Sequence, residues 1–244
     1  MRYLIKFSYD GSNYTGYQTQ PGKKTIQEMI EKALFNINNK KDTRLVSSGR
    51  TDKGVHAIGA VAHFDIDINI TEKKLKKAIN SNIPEDIHII NVKKVNEKFH
   101  ARYNVVSKEY KYIINVGEYN PIERNYVLQY NYKLNIEKMK EAIKYFVGEH
   151  DFRAFVTENN LKPNCIRTIT KASITSKNNK IYIYFKGDGF LRYQVRNMVG
   201  ILLKVGQEKV EVTHVKEILD SKSRKKEGQT APSNGLYLVK VSYK

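Results

Sequence analysis

The chain has 244 residues, 40% of them hydrophobic and 11% aromatic, which is enough for one or two globular domains without disulfides. It has no run of about eighteen apolar residues, no signal-like N-terminus and one cysteine, Cys165. We therefore expect a soluble, cytoplasmic protein with no membrane span and no cysteine-rich zinc site. Its 43 basic residues exceed its 25 acidic residues, and the net charge of +18 favours nucleic acid as a partner, unless it only reflects a lysine-rich proteome.

The first hundred residues predict the element order βαββαβ. Thr25 and Glu28 form a capping box in front of an amphipathic helix, and Thr71 can cap a second helix. Alternation of apolar and polar residues predicts the strands. The elements are predicted at Arg2–Tyr9 (strand), Ile26–Ile37 (helix), Arg44–Ser48 and Val61–Ile66 (strands), Thr71 to about Asn80 (helix) and Ile87–Val95 (strand).

The second half repeats this order without repeating the sequence. We therefore predict an α/β (α+β) protein of two tandem ferredoxin-like halves, residues 1–104 and 105–244, whose antiparallel sheets flank a central basic cleft. The segment Lys222–Thr230, with Arg224-Lys225-Lys226, is interpreted as an RNA-facing linker or a solvated loop. The elements are predicted at Lys108–Val116 (strand), Asn135–Val147 (helix), Ile166–Thr175 and Ile181–Lys186 (strands), Phe190–Val205 and Thr213–Leu219 (helices) and Leu236–Val241 (strand).

The stretch Gly49–Ala57 concentrates charged residues between two predicted strands. Asp52 lies between Arg50 and Lys53, whose positive charges favour an ionised carboxylate. The glycines of the stretch allow a ligand to approach the backbone closely. Asp52 is therefore a candidate nucleophile or base, and a solvated turn is the alternative interpretation.

Two nucleotide sites are excluded by the residues that they require. Gly11 and Gly16 have the glycine spacing of a P-loop, but Tyr17-Gln18 replaces the required Lys-Ser/Thr pair. Gly187-Asp188-Gly189 precedes a predicted helix, but Arg192 replaces the third glycine of a dinucleotide fingerprint. The six histidines form no HExxH motif or close pair, so no metal site is expected.

Two arginines, Arg192 and Arg196, are predicted one turn apart on the largely apolar helix that begins near Phe190. An arginine in such surroundings needs an anion. If this helix lines the central cleft, Arg196 can pair with Asp52 and keep its carboxylate ionised. A surface arginine is the alternative.

Several short motifs occur in a fixed order along the chain, and together they resemble the tRNA pseudouridine synthases of the TruA family over essentially its whole length. Tyr17 stands where that family usually has tryptophan, and Ser47-Ser48 also departs from its pattern, but neither is expected to touch the chemistry. The matching motifs are Tyr9-Asp10-Gly11-Ser12 with Tyr14, Gly16, Gln18 and Gln20, Thr25-Ile26-Gln27, Gly49–Ala57, Phe99-His100-Ala101-Arg102, Tyr110-Lys111-Tyr112, His150-Asp151-Phe152, Gly189–Arg192, Val195–Met198, and Ala231-Pro232 with Asn234-Gly235-Leu236.

The resemblance implies an isomerase that converts uridine to pseudouridine in the anticodon stem-loop of tRNA, at positions 38, 39 and/or 40. It implies that Asp52 is the nucleophile, that Tyr110 lies against the uracil ring, that Arg196 pairs with Asp52 and that Arg50 helps to extrude the target nucleotide. It also implies a homodimer and neither a cofactor nor a metal.

Two other functions fit the basic charge. A non-catalytic tandem RNA-binding module suits ferredoxin-like halves, although the chain lacks the aromatic RNP1 pattern of such modules. An RNA chaperone acting by charge alone would not need Asp52, and its RNA affinity would fall steeply with salt.

Overall fold

The computed structural model describes residues 1–223 and 229–244 and divides into two compact units of mixed α/β structure. Unit 1 consists of Met1–Val106 with Tyr237–Lys244, and unit 2 of Ser107–Leu236. Part of the linker-like segment Lys222–Thr230 therefore lies outside the described residues. In chain order, the strands and α-helices are β1 (Arg2–Tyr9), α1 (Ile26–Ile37), β2 (Val46–Ser47), β3 (His56–Asp65), α2 (Glu72–Asn80), β4 (Ile87–Val95), β5 (Val105–Asn115), β6 (Leu128–Gln129), α3 (Ile136–Ala142), β7 (Gly148–Asp151), β8 (Ile166–Lys177), β9 (Lys180–Gly187), α4 (Gln194–Gly206), α5 (His214–Ser221) and β10 (Leu236–Tyr243).

The sheet of unit 1 has the order expected for a βαββαβ half. β1 pairs antiparallel with both β3 and β4, and β2 pairs antiparallel with β3, which gives the order β4-β1-β3-β2. The side chains of Thr25 and Thr71 accept hydrogen bonds from the first turns of α1 and α2, as predicted. β10 adds a parallel pairing, with Tyr237 opposite His56 on β3. The strand nearest the end of the sequence therefore completes the first sheet, which the element order alone does not reveal.

From Gly59 to Phe64, β3 is buried on both faces, whereas the alternation in its sequence suggested one polar face. Val61 and His63 are as buried as their apolar neighbours. The segment after β4 covers this second face, because the amide of Ala101 donates to His63 Nδ1 at 3.1 Å and the ring of His100 lies edge-on at 4.9 Å. The Nδ1 atom of the buried His63 thus receives its hydrogen bond from a segment that is distant in the sequence.

The sheet of unit 2 is an antiparallel array in the order β5-β9-β8-β7, and β6 pairs parallel with β5. The β8–β9 hairpin turns at Asn178 and Asn179, whose φ angles of 51° and 57° are those of a type I′ turn. The predicted helix at Asn135–Val147 is divided into α3 and a 3-10 turn over Ile143–Phe146.

Helix α4 begins four residues later than predicted. Tyr193, its N-cap, has φ of 63°, a left-handed conformation that stops the helix from extending toward Phe190. Gln194 closes the preceding turn by accepting a hydrogen bond from the Leu191 amide at 2.8 Å. The prediction that Arg192 and Arg196 lie one turn apart on this helix is therefore wrong, because Arg192 precedes the helix.

The buried imidazole of His63 makes the stability of the protein depend on pH. Burial lowers its pKa to about 4, and the positive charges of Arg2 and His100 act in the same direction, against Asp65. In the unfolded chain the pKa is about 6.5, so the unfolded state binds more protons between these values. The contribution of His63 is present above pH 6.5 and is lost as the pH falls toward 4.

We predict that lowering the pH from 7 to 4.5 reduces the free energy of unfolding through His63 by about 2 kcal/mol. Urea denaturation at both pH values should show a smaller loss for His63→Asn than for the unmodified chain. His88→Asn, at an exposed position of β4, is the matched control and should leave the loss unchanged. An unchanged pH dependence in His63→Asn would contradict the assignment.

Candidate active site

Asp52 lies in the loop between β2 and β3, where the sequence predicted a connection between strands. The amide of Val55 donates to the Asp52 carbonyl at 3.2 Å, and Gly54 adopts φ of 77°, so the loop turns tightly just after Asp52. Asp52 is partly exposed, and Arg50 and Lys53 are exposed beside it. The carboxylate is therefore carried by a tight turn at the edge of a buried sheet.

The loop after β1 packs against the backbone of the Asp52 loop. The amide of Tyr17 donates to the Thr51 carbonyl at 3.1 Å. A Cβ on Gly11 would lie 2.0 Å from the Val55 carbonyl oxygen, and one on Gly16 would lie 3.1 Å from the Thr51 oxygen. The two glycines that resembled a P-loop thus permit close contact between two backbones.

A side-chain contact adds to this support. The hydroxyls of Tyr9 and Thr51 share a hydrogen bond of 2.8 Å. The Tyr9 ring packs in a cluster with Phe7 and Tyr17, with ring centroids 6.0 to 6.5 Å apart. Tyr17 was not expected to touch the chemistry, but its amide contacts Thr51, the residue before Asp52. This backbone hydrogen bond does not depend on the type of side chain at position 17.

His56 anchors the far end of the same loop. Its buried Nδ1 accepts a hydrogen bond from the Gly11 amide at 3.1 Å and lies 3.1 Å from the Asp10 carboxylate. Its ring stacks on Tyr237 of β10 with a centroid distance of 4.8 Å. The imidazole thus joins the loop after β1, the start of β3 and the strand at the end of the sequence.

Tyr110 and Arg196 lie in unit 2. Tyr110 stands on β5 opposite Phe185, is only 9% exposed, and its ring meets Phe190 edge-on at 5.1 Å. On α4, Arg196 donates from Nε to the Ala231 carbonyl at 2.7 Å, and its guanidinium lies over the Tyr193 ring. Tyr193, whose left-handed conformation sets the start of α4, therefore also packs against Arg196.

The structure thus brings Asp52 and Arg50 together in one unit, and places Tyr110 and Arg196 in the other. The pairing of Arg196 with Asp52, and the central basic cleft, stay predictions. The supporting residues Tyr9 and Thr51 were recognised from sequence only as motif members, because their contact joins distant segments.

Within residues 1–223 and 229–244, none of the helices has the length and apolar composition that a membrane span requires. Within the same ranges, no group of three or more His, Cys, Asp or Glu side chains is placed to hold a metal ion.

Comparisons with known proteins agree with the motif resemblance. A sequence model of a family described as tRNA pseudouridine synthase matches residues 5–104 and 142–244. The tRNA pseudouridine synthases A of Streptococcus pyogenes serotype M49 (strain NZ131) and serotype M1 are each 44% identical over 246 residues, covering 100% of this chain and 99% of theirs.

A solved structure, described as a crystal structure of a Cbf5-Nop10-Gar1 complex, contains a chain that matches 83% of this chain and 54% of its own length. Its TM-score of 0.32 and identity of 14% are too low to support an argument. The family match and the full-length relatives carry the assignment. The resemblance inferred from the motifs is thereby confirmed, and the chain belongs to the tRNA pseudouridine synthase family.

Proposed function

We propose that this enzyme isomerises uridine to pseudouridine in the anticodon stem-loop of tRNA, at positions 38, 39 and/or 40, with Asp52 as the nucleophile. The observation that carries the proposal is the support of Asp52: its loop is held by the Tyr17 amide, by the Tyr9 hydroxyl and by two close glycines. Such a fixed carboxylate, beside two cations, is what a nucleophile requires. The net charge of +18 suits a tRNA substrate.

The reaction is an internal rearrangement. The bond between C1′ of the ribose and N1 of uracil breaks, the base turns, and a bond forms between C1′ and C5. The proton on C5 leaves and N1 gains one, so no atom or electron is lost overall. Asp52 must be ionised near the bond that breaks, and the pocket must retain the detached base.

The other site residues receive roles from the resemblance and from their surroundings. We assign Tyr110 to the uracil ring, because its buried ring is fixed by Phe190. Arg196, oriented by Ala231 and Tyr193, would pair with Asp52 and favour its ionised form. Arg50 would help to extrude the target nucleotide, whose removal from the stack costs a few kcal/mol.

The resemblance also supports a homodimer, and a tRNA substrate supports a cytoplasmic location. We propose both the homodimer and the cytoplasmic location. In a dimer, one tRNA can span two subunits.

We predict that Asp52→Asn lowers tritium release from tRNA labelled at uracil C5 by about 10³-fold or more, because an amide is not a nucleophile of comparable strength. Binding of tRNA, measured by filter retention, should survive. Asp42→Asn, at an exposed acidic position, should retain activity. Undiminished release by Asp52→Asn would exclude Asp52 as the nucleophile.

Tyr9→Phe is expected to lower kcat about tenfold with little change in KM, because loss of one hydrogen bond lets the Asp52 loop drift from its reacting position. Thr51→Val should have the same effect, and the double variant should be no worse than either single one. Tyr14→Phe is the matched control, since its hydroxyl bonds Asp86 and not the loop. Additive losses in the double variant would show that the two hydroxyls act separately.

Tyr110→Ala should abolish turnover while tRNA affinity changes less than about threefold, because the residue is assigned to the target base alone. A non-catalytic RNA-binding module would instead show no turnover even in the unmodified chain. Tyr184→Ala, on the neighbouring strand β9 and more exposed, serves as the control and should keep turnover. Normal turnover in Tyr110→Ala would remove Tyr110 from the site.

A further inference from the structure

An exposed tyrosine, Tyr103, lies in the segment between β4 and β5 in unit 1. The side chain of Tyr103 is 77% exposed, whereas tyrosine side chains are more often partly buried. One face of the ring stacks on His100, with a centroid distance of 4.2 Å and an interplanar angle of 27°. His100 in turn meets the buried His63 edge-on. The opposite face of Tyr103 is left to solvent on a rigid aromatic support.

The turn that carries Tyr103 is fixed by hydrogen bonds. His100 Nδ1 accepts from the amides of Arg102 and Tyr103, at 3.1 and 3.3 Å. The Asn104 side chain accepts from the His100 amide at 2.6 Å, and the Asn104 amide donates back to the His100 carbonyl at 3.0 Å. An exposed ring on a fixed turn binds a partner at a smaller entropic cost than a mobile one.

Two arginines flank this platform without acidic partners. Val46 on β2 pairs with His63, whose Nδ1 binds the Ala101 amide, so the strand that leads into the Asp52 loop lies beside the segment that carries Arg102. Partial burial, and then the positive charge of Arg102, lower the pKa of Arg50. Within residues 1–223 and 229–244, neither side chain forms an ion pair, unlike Arg2, which pairs with Asp65. Two neighbouring cations without a carboxylate favour an anion between them, such as a phosphate.

We propose that Tyr103, Arg102 and Arg50 form a binding site for an unpaired nucleotide of the RNA substrate. The base stacks on the open face of Tyr103, and its phosphate lies between the two guanidinium groups. Aromatic stacking with flanking cations is the general way in which proteins hold unpaired nucleotides. The identity of the RNA rests on the proposed function.

The location indicates which nucleotide is bound. Arg50 precedes Asp52 by two residues, so the platform lies beside the loop that carries the proposed nucleophile. The nucleotide on Tyr103 is then one that flanks the target uridine and not the target itself, which is assigned to Tyr110. Tyr103 thus holds the RNA strand while the neighbouring uridine leaves the stack.

The chain contains no tryptophan, so Tyr103→Trp introduces a single indole as a probe. In an Asp52→Asn background, which separates binding from turnover, addition of an anticodon stem-loop RNA should quench its fluorescence. Tyr103→Ala should weaken RNA binding about tenfold, and Tyr103→Phe should restore it. Tyr132→Trp and Tyr132→Ala, at a tyrosine 65% exposed in unit 2, should show neither effect.

Arg102→Gln should weaken binding and reduce the slope of log affinity against log salt by about one, as expected for a lost phosphate contact. Unchanged affinity in Tyr103→Ala, together with no quenching in Tyr103→Trp, would overturn the platform while leaving the proposed function intact. Failure of the unmodified chain to bind the stem-loop would instead overturn the proposed substrate.

Discussion

The candidate site depends on a close approach between two loop backbones. The loop after β1 meets the Asp52 loop so tightly that a methyl group on Gly11 would collide with it, and one on Gly16, whose φ is 106°, would crowd the Thr51 carbonyl. A hydrogen bond from the Tyr17 amide closes the same contact. Such a contact fixes the main chain from which the Asp52 side chain extends, and so limits where its carboxylate can lie. A substitution at either glycine therefore acts on Asp52 without touching it.

The polar groups beneath this contact are arranged to avoid buried charge. His56 and His63 lie on β3, are both buried, and each accepts a backbone amide at Nδ1. For His63, burial lowers the pKa of the imidazole to about 4, so this side chain is neutral at pH 7 and avoids the cost of a buried cation. Positive charge is concentrated instead on exposed side chains such as Arg50 and Arg102, where a phosphate can reach it.

The fold was predictable from sequence wherever local pattern decides structure. β1 and β4 have the predicted bounds, and α1 follows its capping box, because strand alternation and capping are encoded by neighbouring residues. The start of α4 was missed because a left-handed tyrosine gives no signal in the sequence. The bond between Tyr9 and Thr51 joins residues 42 positions apart, so only the motif resemblance could draw attention to them.

The folding of unit 1 depends on β10, a strand that is translated after the whole of unit 2. Tyr237 stacks on His56 and pairs beside it with β3, at the end of the loop that carries Asp52. Unit 1 therefore remains incomplete while the ribosome translates the whole of unit 2. Because domains begin to fold during synthesis, the first unit must wait with an unpaired stretch of β3 until residues 237–244 emerge. A partly translated chain that does not yet contain residues 237–244 thus lacks one support of its Asp52 loop.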